Sequence, residues 1–555
     1  MSMSPQGLQP IPEETERIAR RSFPKGTLAM QLRDELGPIY SDEQFVDLFA
    51  KRGKGAFSPS TLALVTVLQA AEGLTDRQAA HAVRGRLDWK YALGLAVDDA
   101  GFDASVLTEF RARLVEHAVE DLVLGPIIQL AQKRGWIKAG GKQRTDSTAV
   151  LASVRALSSL ESVGECMRMS LNALAEINPS WLQATLHEDW FDRYVHRFEL
   201  ARFPKAESQR QQLRAQVGQD VEKLLGALDA VSTPEDLRQL PEISLLRQIF
   251  DQHYEKTGEH VQWRDGPKVQ NHERVVSPYD AEARESRKRD TTWLGWKVHL
   301  TETCDQDPDV PHLITHVETT PATVQDCEVM EEISEDLRTK QIAPSEHFVD
   351  QGYTSGEQLV KQSEQGTQIV GLVQESTSWQ KREQMGYAAE DFELDWQQRV
   401  ATCPQGQQSR RWVHQVDRRG QATEVIQFAA ATCQACPVRE SCTRNQQGRT
   451  LTLLPQKAHQ AVEDRRVEQK TPEFLQNYHT RAGVEGTVSQ ALRTTSMRRS
   501  PYIGLQKTHG HHVAIAAGIN LIRIGAHLQA QARGKPSRHP RLQSPFARLQ
   551  PLKIA

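Results

Sequence analysis

Three acids sit in surroundings suited to metal-assisted phosphoryl transfer. Asp146 lies in a strand-like run from Gln143 to Val150, with Thr145 and Ser147 beside it. Asp350 ends the apolar run Phe348-Val349 and precedes the turn Gln351-Gly352-Tyr353, and Glu485 lies on a late helical segment. Moving a phosphoryl group between DNA oxygens needs little covalent help from protein. It needs two Mg²⁺ ions about 3.5–4 Å apart, one activating the attacking oxygen and one stabilising the leaving oxygen. Such hard cations take carboxylate oxygens held at strand ends and on a packed helix. Arg481 stands four residues before Glu485 and Tyr478 seven before it, so helical spacing puts all three on one face, a cation and a phenol beside an acid. Taken singly, an acid after a strand reads more readily as a solvated surface group.

A second constellation is Cys433-x-x-Cys436-x₅-Cys442, with Cys403 further upstream. Four thiolates suit a tetrahedral, structural zinc site, closed to chemistry because the protein fills every position. His414 is a weaker substitute ligand. The other reading is four reduced cysteines, buried or at the surface. Cys166, Cys304 and Cys327 are scattered, and seven cysteines in 555 residues do not make a disulfide framework.

The net charge of −3 gives no global sign of nucleic acid, but its distribution does. No Asp or Glu follows Glu485, whereas Arg493, Arg498, Arg499, Lys507, Arg523 and further basic residues do. This reads as a footprint for a phosphate backbone, or as a solvated basic tail.

These residues need elements to position them. The chain is long enough for several domains and more than one buried core. Residues 1–137 read as helical. Gly73 ends one helix, Thr75 with Gln78 caps the next, and Arg77, Arg84 and Arg86 follow; this fits a DNA-binding helix-turn-helix and equally any small helical bundle. A helix-rich, charged insertion spans about 155–260. Strands are expected at Trp296–Leu300, at 312–319, at 347–349 and at 368–373, with Ser355 capping a helix. Trp293, Trp296 and Tyr353 are expected in the core, and Lys297 and His299 face either the active cleft or a polar sheet surface. One long helix is expected from Thr471-Pro472 through Tyr478, Arg481 and Glu485. Residues 531–555 read as a basic, disordered tail. No apolar run approaches a membrane span; the longest, Val513–Ile524, is interrupted by Gly518, Asn520 and Arg523. Residues 1–14 show no secretion signal, so a cytoplasmic protein is expected.

The words around the acids resemble known motifs. Thr-Asp-Ser-Thr at 145–148, Val-Asp-Gln-Gly-Tyr at 349–353 and Tyr-x-x-Arg-x-x-x-Glu at 478–485 are similar to the three acid motifs of DDE transposases of bacterial insertion sequences, and most to the insertion-sequence family numbered 1182. Ser277-Pro278-Tyr279-Asp280, Lys288-Arg289-Asp290-Thr291-Thr292-Trp293 and Tyr502-x-Gly504-Leu505-x-Lys507-Thr508 add to it, as does Gly73–Ala80 near the start. The resemblance implies an α/β fold: an RNase H-like catalytic core over 138–530, an all-helical N-terminal DNA-binding domain over 1–137, the helical insertion, and a small cysteine-containing insertion over about 375–450. It implies that Asp146, Asp350 and Glu485 are catalytic and hold two Mg²⁺ ions, for which Mn²⁺ can substitute. DNA contacts are expected from Tyr478, Arg481, Arg493, Arg498, Arg499 and Lys507. The implied partners are double-stranded DNA, as terminal inverted repeats and target, and a second copy in a synaptic homodimer; no membrane is expected. Relatives often carry a Lys seven residues after the Glu, where this chain has Leu492 followed by Arg493. The alternatives are a catalytically inactive transposase-derived DNA-binding regulator, against which the three acids argue, and a nuclease without strand transfer.

Overall fold

Cap chemistry sets the N-terminal helices. Ser58 accepts the Thr61 N–H and Pro59 occupies the first turn of α1 (Pro59–Glu72), which ends on Gly73 in the left-handed conformation, φ 66°. Thr75 and Gln78 form a reciprocal capping box that starts α2 (Asp76–Gly85), and α3 (Leu87–Leu93) follows. Arg86 is bound to Glu72 and Asp88 and lies over Trp89, so this basic residue is engaged by acids of its own helices. The computed structural model describes residues 2, 3, 5, 9–200, 203–258, 260–266, 268–383, 385–417 and 420–534. Of the tail expected to be disordered over 531–555, residues 531 and 532 instead complete the last helix, and from residue 535 on it lies outside the described residues.

At the centre is a six-stranded sheet. Its strands are β1 (Lys142–Leu151), β2 (Arg284–Lys288), β3 (Thr291–Thr303), β4 (Ile314–Pro321), β5 (Glu346–Val349) and β6 (Gln368–Val370). They run in the order β2-β3-β1-β5-β6, with β4 also paired to β3. β1 is antiparallel to β3 and parallel to β5. Between β1 and β2 the chain forms α4 (Ser159–Ile177), α5 (Glu207–Asp229) and α6 (Pro241–His253), which close on a core of their own around Met167, Trp190, Leu224 and Ile249. α7 (Asp326–Thr339) joins β4 to β5. After β6, a three-stranded antiparallel sheet over 411–453 packs Ile426, Phe428 and Leu451 against Phe392.

The stretch expected as one helix from Thr471 is broken into α8 (Pro472–Tyr478), a 3-10 stretch His479–Gly483, and α9 (Val484–Thr494). Arg144 supplies a physical reason. Its Nη1 donates to the Thr480 carbonyl at 2.8 Å, an acceptor that a regular helix would give to residue 484. The same guanidinium lies against Gly483, where there is no room for a Cβ.

α10 (Leu505–Ala532) corrects the expectation about apolar length: it is long and apolar enough to cross a membrane, but 78% of its apolar window is buried inside the protein. The residues that interrupt its apolarity are packing devices. Asn520 accepts from the Ile314 N–H and donates to the Ile314 carbonyl, both at 2.8 Å, fastening α10 to β4. Gly518 lets the helix lie against the backbone of Ala71 in α1. One apolar core therefore runs from the N-terminal helices through α10 to the sheet.

A buried ion network fixes α9 over β1. Glu302, fully buried, faces Arg144 across the β3–β1 pair and meets its guanidinium at 2.7 Å. Arg523 of α10 reaches the other oxygen at 2.7 Å, and the Thr487 hydroxyl of α9 donates to it at 2.5 Å. Burial opposes ionisation of Glu302, but Arg523, Arg144 and the Thr487 hydroxyl outweigh it and hold the carboxyl below its usual range.

Removing the carboxylate leaves two guanidinium groups without their counter-ion, so Glu302→Ala should cost about 3–5 kcal/mol in urea unfolding. Because the folded-state value is depressed, the stabilisation is present above the unfolded glutamate value, about 4.3, and is lost as pH falls through the folded one. Wild-type stability should therefore fall more steeply below about pH 4.3 than that of Glu302→Gln. Gly483→Ala, which pushes a Cβ into an Arg144 head held by Glu302, should cost about 1–3 kcal/mol in the same measurement.

Candidate active site

Register brings two of the acids together. β1 and β5 pair Thr145 with Val349, so Asp146 and Asp350 are the next residues at the same end of neighbouring parallel strands, on the same sheet face. Asp350 leaves the strand in extended conformation and starts the 3-10 turn Gln351–Tyr353. Glu485, in the first turn of α9, has an exposed side chain. Arg481 connects the site: its Nη1 lies 3.2 Å from Asp146 Oδ2 and its Nη2 3.2 Å from Glu485 Oε1. The guanidinium carbon is 5.8 Å from the Tyr478 ring centre. Asp350 also acts electrostatically on Asp146 and on Arg481.

Asp146 is largely buried, and burial raises its pKa, with the like charge of Asp350 adding to the effect; the Ser147 N–H, Arg481 and Lys288 oppose it. The cluster therefore calls for positive charge. Among the described residues, no group of three or more His, Cys, Asp or Glu side chains is gathered as metal ligands are. Here the cation that joins Asp146 to Glu485 is the Arg481 guanidinium.

Arg493, Arg498, Arg499 and Lys507 are exposed, and none forms an ion pair with a described residue. Arg498 and Arg499 dock by backbone on the end of β1, where the Leu151 N–H donates to the Arg498 carbonyl at 3.0 Å. Arg523, counted in the basic run, is instead a partly buried partner of Glu302. Leu492 packs against the main core, so a lysine at that position would have pointed inward.

Lys297 and His299 lie on the sheet face opposite Asp146. Lys297 holds Asp326 at 2.9 Å, and the Ser147 hydroxyl donates to the other Asp326 oxygen at 3.2 Å. His299 is hydrogen-bonded to the buried Tyr353 hydroxyl at 2.6 Å, and burial takes its pKa to about 4. Trp293, Trp296 and Tyr353 are core residues. Asp326, Arg144 and Glu302 support the acids from behind and from the side, and sequence reasoning missed them. The signal for Asp326 was its place at the start of a helix; the Arg144–Glu302 pair needed the register.

Cys403, Cys433, Cys436 and Cys442 line one cavity of about 30 Å³, against Phe392 and Phe428. All four are free thiols, and the other three influence Cys442 electrostatically, whose own pKa is raised mainly by burial. His414 is engaged with Glu424 at 3.0 Å and does not line that cavity.

No curated protein and no solved structure matches the chain. Two family models do. Residues 19–113 match the one described as Transposase domain (DUF772), and residues 402–525 match the one described as Transposase DDE domain. One match covers N-terminal helices and the other reaches from the cysteine segment through Glu485 into α10; together they support a DDE transposase.

Proposed function

We propose that the chain is the transposase of a bacterial insertion sequence, akin to the family numbered 1182, which cuts the ends of its element and joins them to target DNA. The observation that carries this reading is Arg481 held between Asp146 and Glu485, with Asp350 at the end of the strand beside Asp146. The order of the acids supports an RNase H-like core over 138–530. Asp146 is on the first strand, Asp350 follows the fourth if the short arm β2 is set aside, and Glu485 is on a later helix.

Asp146, Asp350 and Glu485 would hold two Mg²⁺ ions, with Mn²⁺ as a substitute. The donor chemistry fits: hard carboxylate oxygens, with Asp350 repelling Asp146, at a site that already draws in a guanidinium. When bound, such ions activate the attacking oxygen and stabilise the leaving one. The chain's own residues orient the DNA. Arg481 can turn from the carboxylates to a phosphate, and Tyr478 sets its position from the side. Arg493, Arg498, Arg499 and Lys507 take the backbone of inverted repeat and target, each contact adding to the salt dependence of binding. The N-terminal helices, residues 1–137, contribute to end recognition, and two copies act together in synapsis, in the bacterial cytoplasm. The four cysteines would hold a structural zinc, for which a shared small cavity of free thiols is the supporting observation.

Purified chain with labelled element ends and Mg²⁺ should yield both nicked and joined products, scored separately. Asp146→Asn, Asp350→Asn and Glu485→Gln should each lower both by at least about a hundredfold without altering thermal unfolding. Cleavage that survives these changes would remove the assignment. Metal analysis should return one zinc per chain in the wild type and none in a Cys433→Ser/Cys436→Ser double variant; wild type purified without zinc would overturn the structural-zinc reading.

A further inference from the structure

A polar cleft of about 650 Å³ opens between the turn that follows the helical insertion, the β2–β3 hairpin and the turn before α7. Its size is in the range of ligand pockets. Gln270, Asn271 and Arg274 line one side, Arg287 and Thr292 of the hairpin a second, and Gln325 a third. Gln270, Asn271 and Gln325 are exposed, and their side chains make no hydrogen bond to another described residue. Arg274 pairs with Glu285 at 3.6 Å, yet its Nε is buried without a partner. The cleft thus presents three free amides and two guanidinium groups with unused donors.

Two of its walls lead to the acid site. Lys288, next to Arg287, acts on the Asp146 carboxylate. Asp326, next to Gln325, packs on the sheet face opposite Asp146 but reaches the turn after Asp350, where its carboxylate lies against Gly352. Amides that both donate and accept suit the edges of nucleobases, and arginine forks suit phosphate. A concave cleft admits a base only when that base is out of its stack.

We propose that this cleft seats an unpaired nucleotide of the DNA end beside the scissile phosphate, with Gln270, Asn271 and Gln325 at the base edge and Arg274 and Arg287 at its phosphate. The inference rests on the DNA phosphoryl-transfer reading above. No bond is made or broken in the cleft; it holds the strand that the acids act on.

The test uses full-length protein and two fluorescein-labelled duplexes, one blunt and one with a short single-stranded overhang, with Ca²⁺ in place of Mg²⁺. Wild type should bind the overhang duplex more tightly than the blunt one. The triple variant Gln270→Ala/Asn271→Ala/Gln325→Ala, changed only at exposed positions, should bind the overhang duplex about tenfold more weakly and the blunt duplex unchanged. Arg287→Ala should move in the same direction. Wild type without an overhang preference, or a triple variant that keeps it, overturns the proposal. Nicking in Mg²⁺, measured in parallel, separates the two readings: nicking without overhang preference sinks the cleft alone, and absence of both sinks the cleft together with the transferase reading.

Discussion

The carboxylate of Glu302, buried between Arg144 and Arg523, is the constraint from which the site's geometry follows. Three elements far apart in sequence meet there: β1 through Arg144, α9 through Thr487 and α10 through Arg523. Taking these charges out of water is costly, and an apolar trio of similar volume would be as stable or more so. What the ion network adds is position. Arg144 lies two residues before Asp146 on the same face of β1, and Thr487 lies two after Glu485. On a helix that offset turns a side chain about 200°, so burying Thr487 on Glu302 leaves Glu485 outward, toward the strand ends.

The same network explains why α8 and α9 are not one helix. An arginine that spends part of its donors on Glu302 has another left for the Thr480 carbonyl, and the chain tightens to 3-10 where that acceptor is lost. Arg481 falls inside the tightened stretch. Its guanidinium meets Asp146 and Glu485 from there, so the cation that balances the acids is itself placed by a pair several residues removed from them.

Much of this was legible in the sequence wherever local chemistry decides. Gly73, Thr75 with Gln78, and Ser355 mark helix ends by the groups they satisfy, and the chain obeys them. The strand at Trp296–Leu300 shows in its alternation, and Tyr478, Arg481 and Glu485 do meet, although the helix between them is irregular. What was not legible depends on distant partners. Nothing near Arg523 in sequence says that it is tied into an ion pair; Glu302, more than two hundred residues earlier, does. Lys297 and His299 alternate in the expected way, but only the β1 register tells which face is the acid face. Gly518 and Asn520 look like interruptions of an apolar run until α1 and β4 are packed against them.

The word Ser277-Pro278-Tyr279-Asp280 shows how a motif can carry structure without touching the reacting atoms. The Tyr279 hydroxyl donates to Glu165 of α4 at 2.6 Å, which ties it to the helical insertion. Asp280 accepts from the Gly504 N–H at 3.1 Å and Glu282 from the Leu505 N–H at 2.7 Å, placing two carboxylates at the N-terminus of α10. Free N–H groups and the helix dipole favour negative charge there. The joint therefore fastens the insertion to the helix that carries Arg523. The insertion has its own core and would otherwise be free to hinge on its two connections. Anchored at α10, it holds the 270–274 turn against the β2–β3 hairpin, whose Lys288 acts on Asp146. Residues that never approach the acids thus decide what stands in front of them.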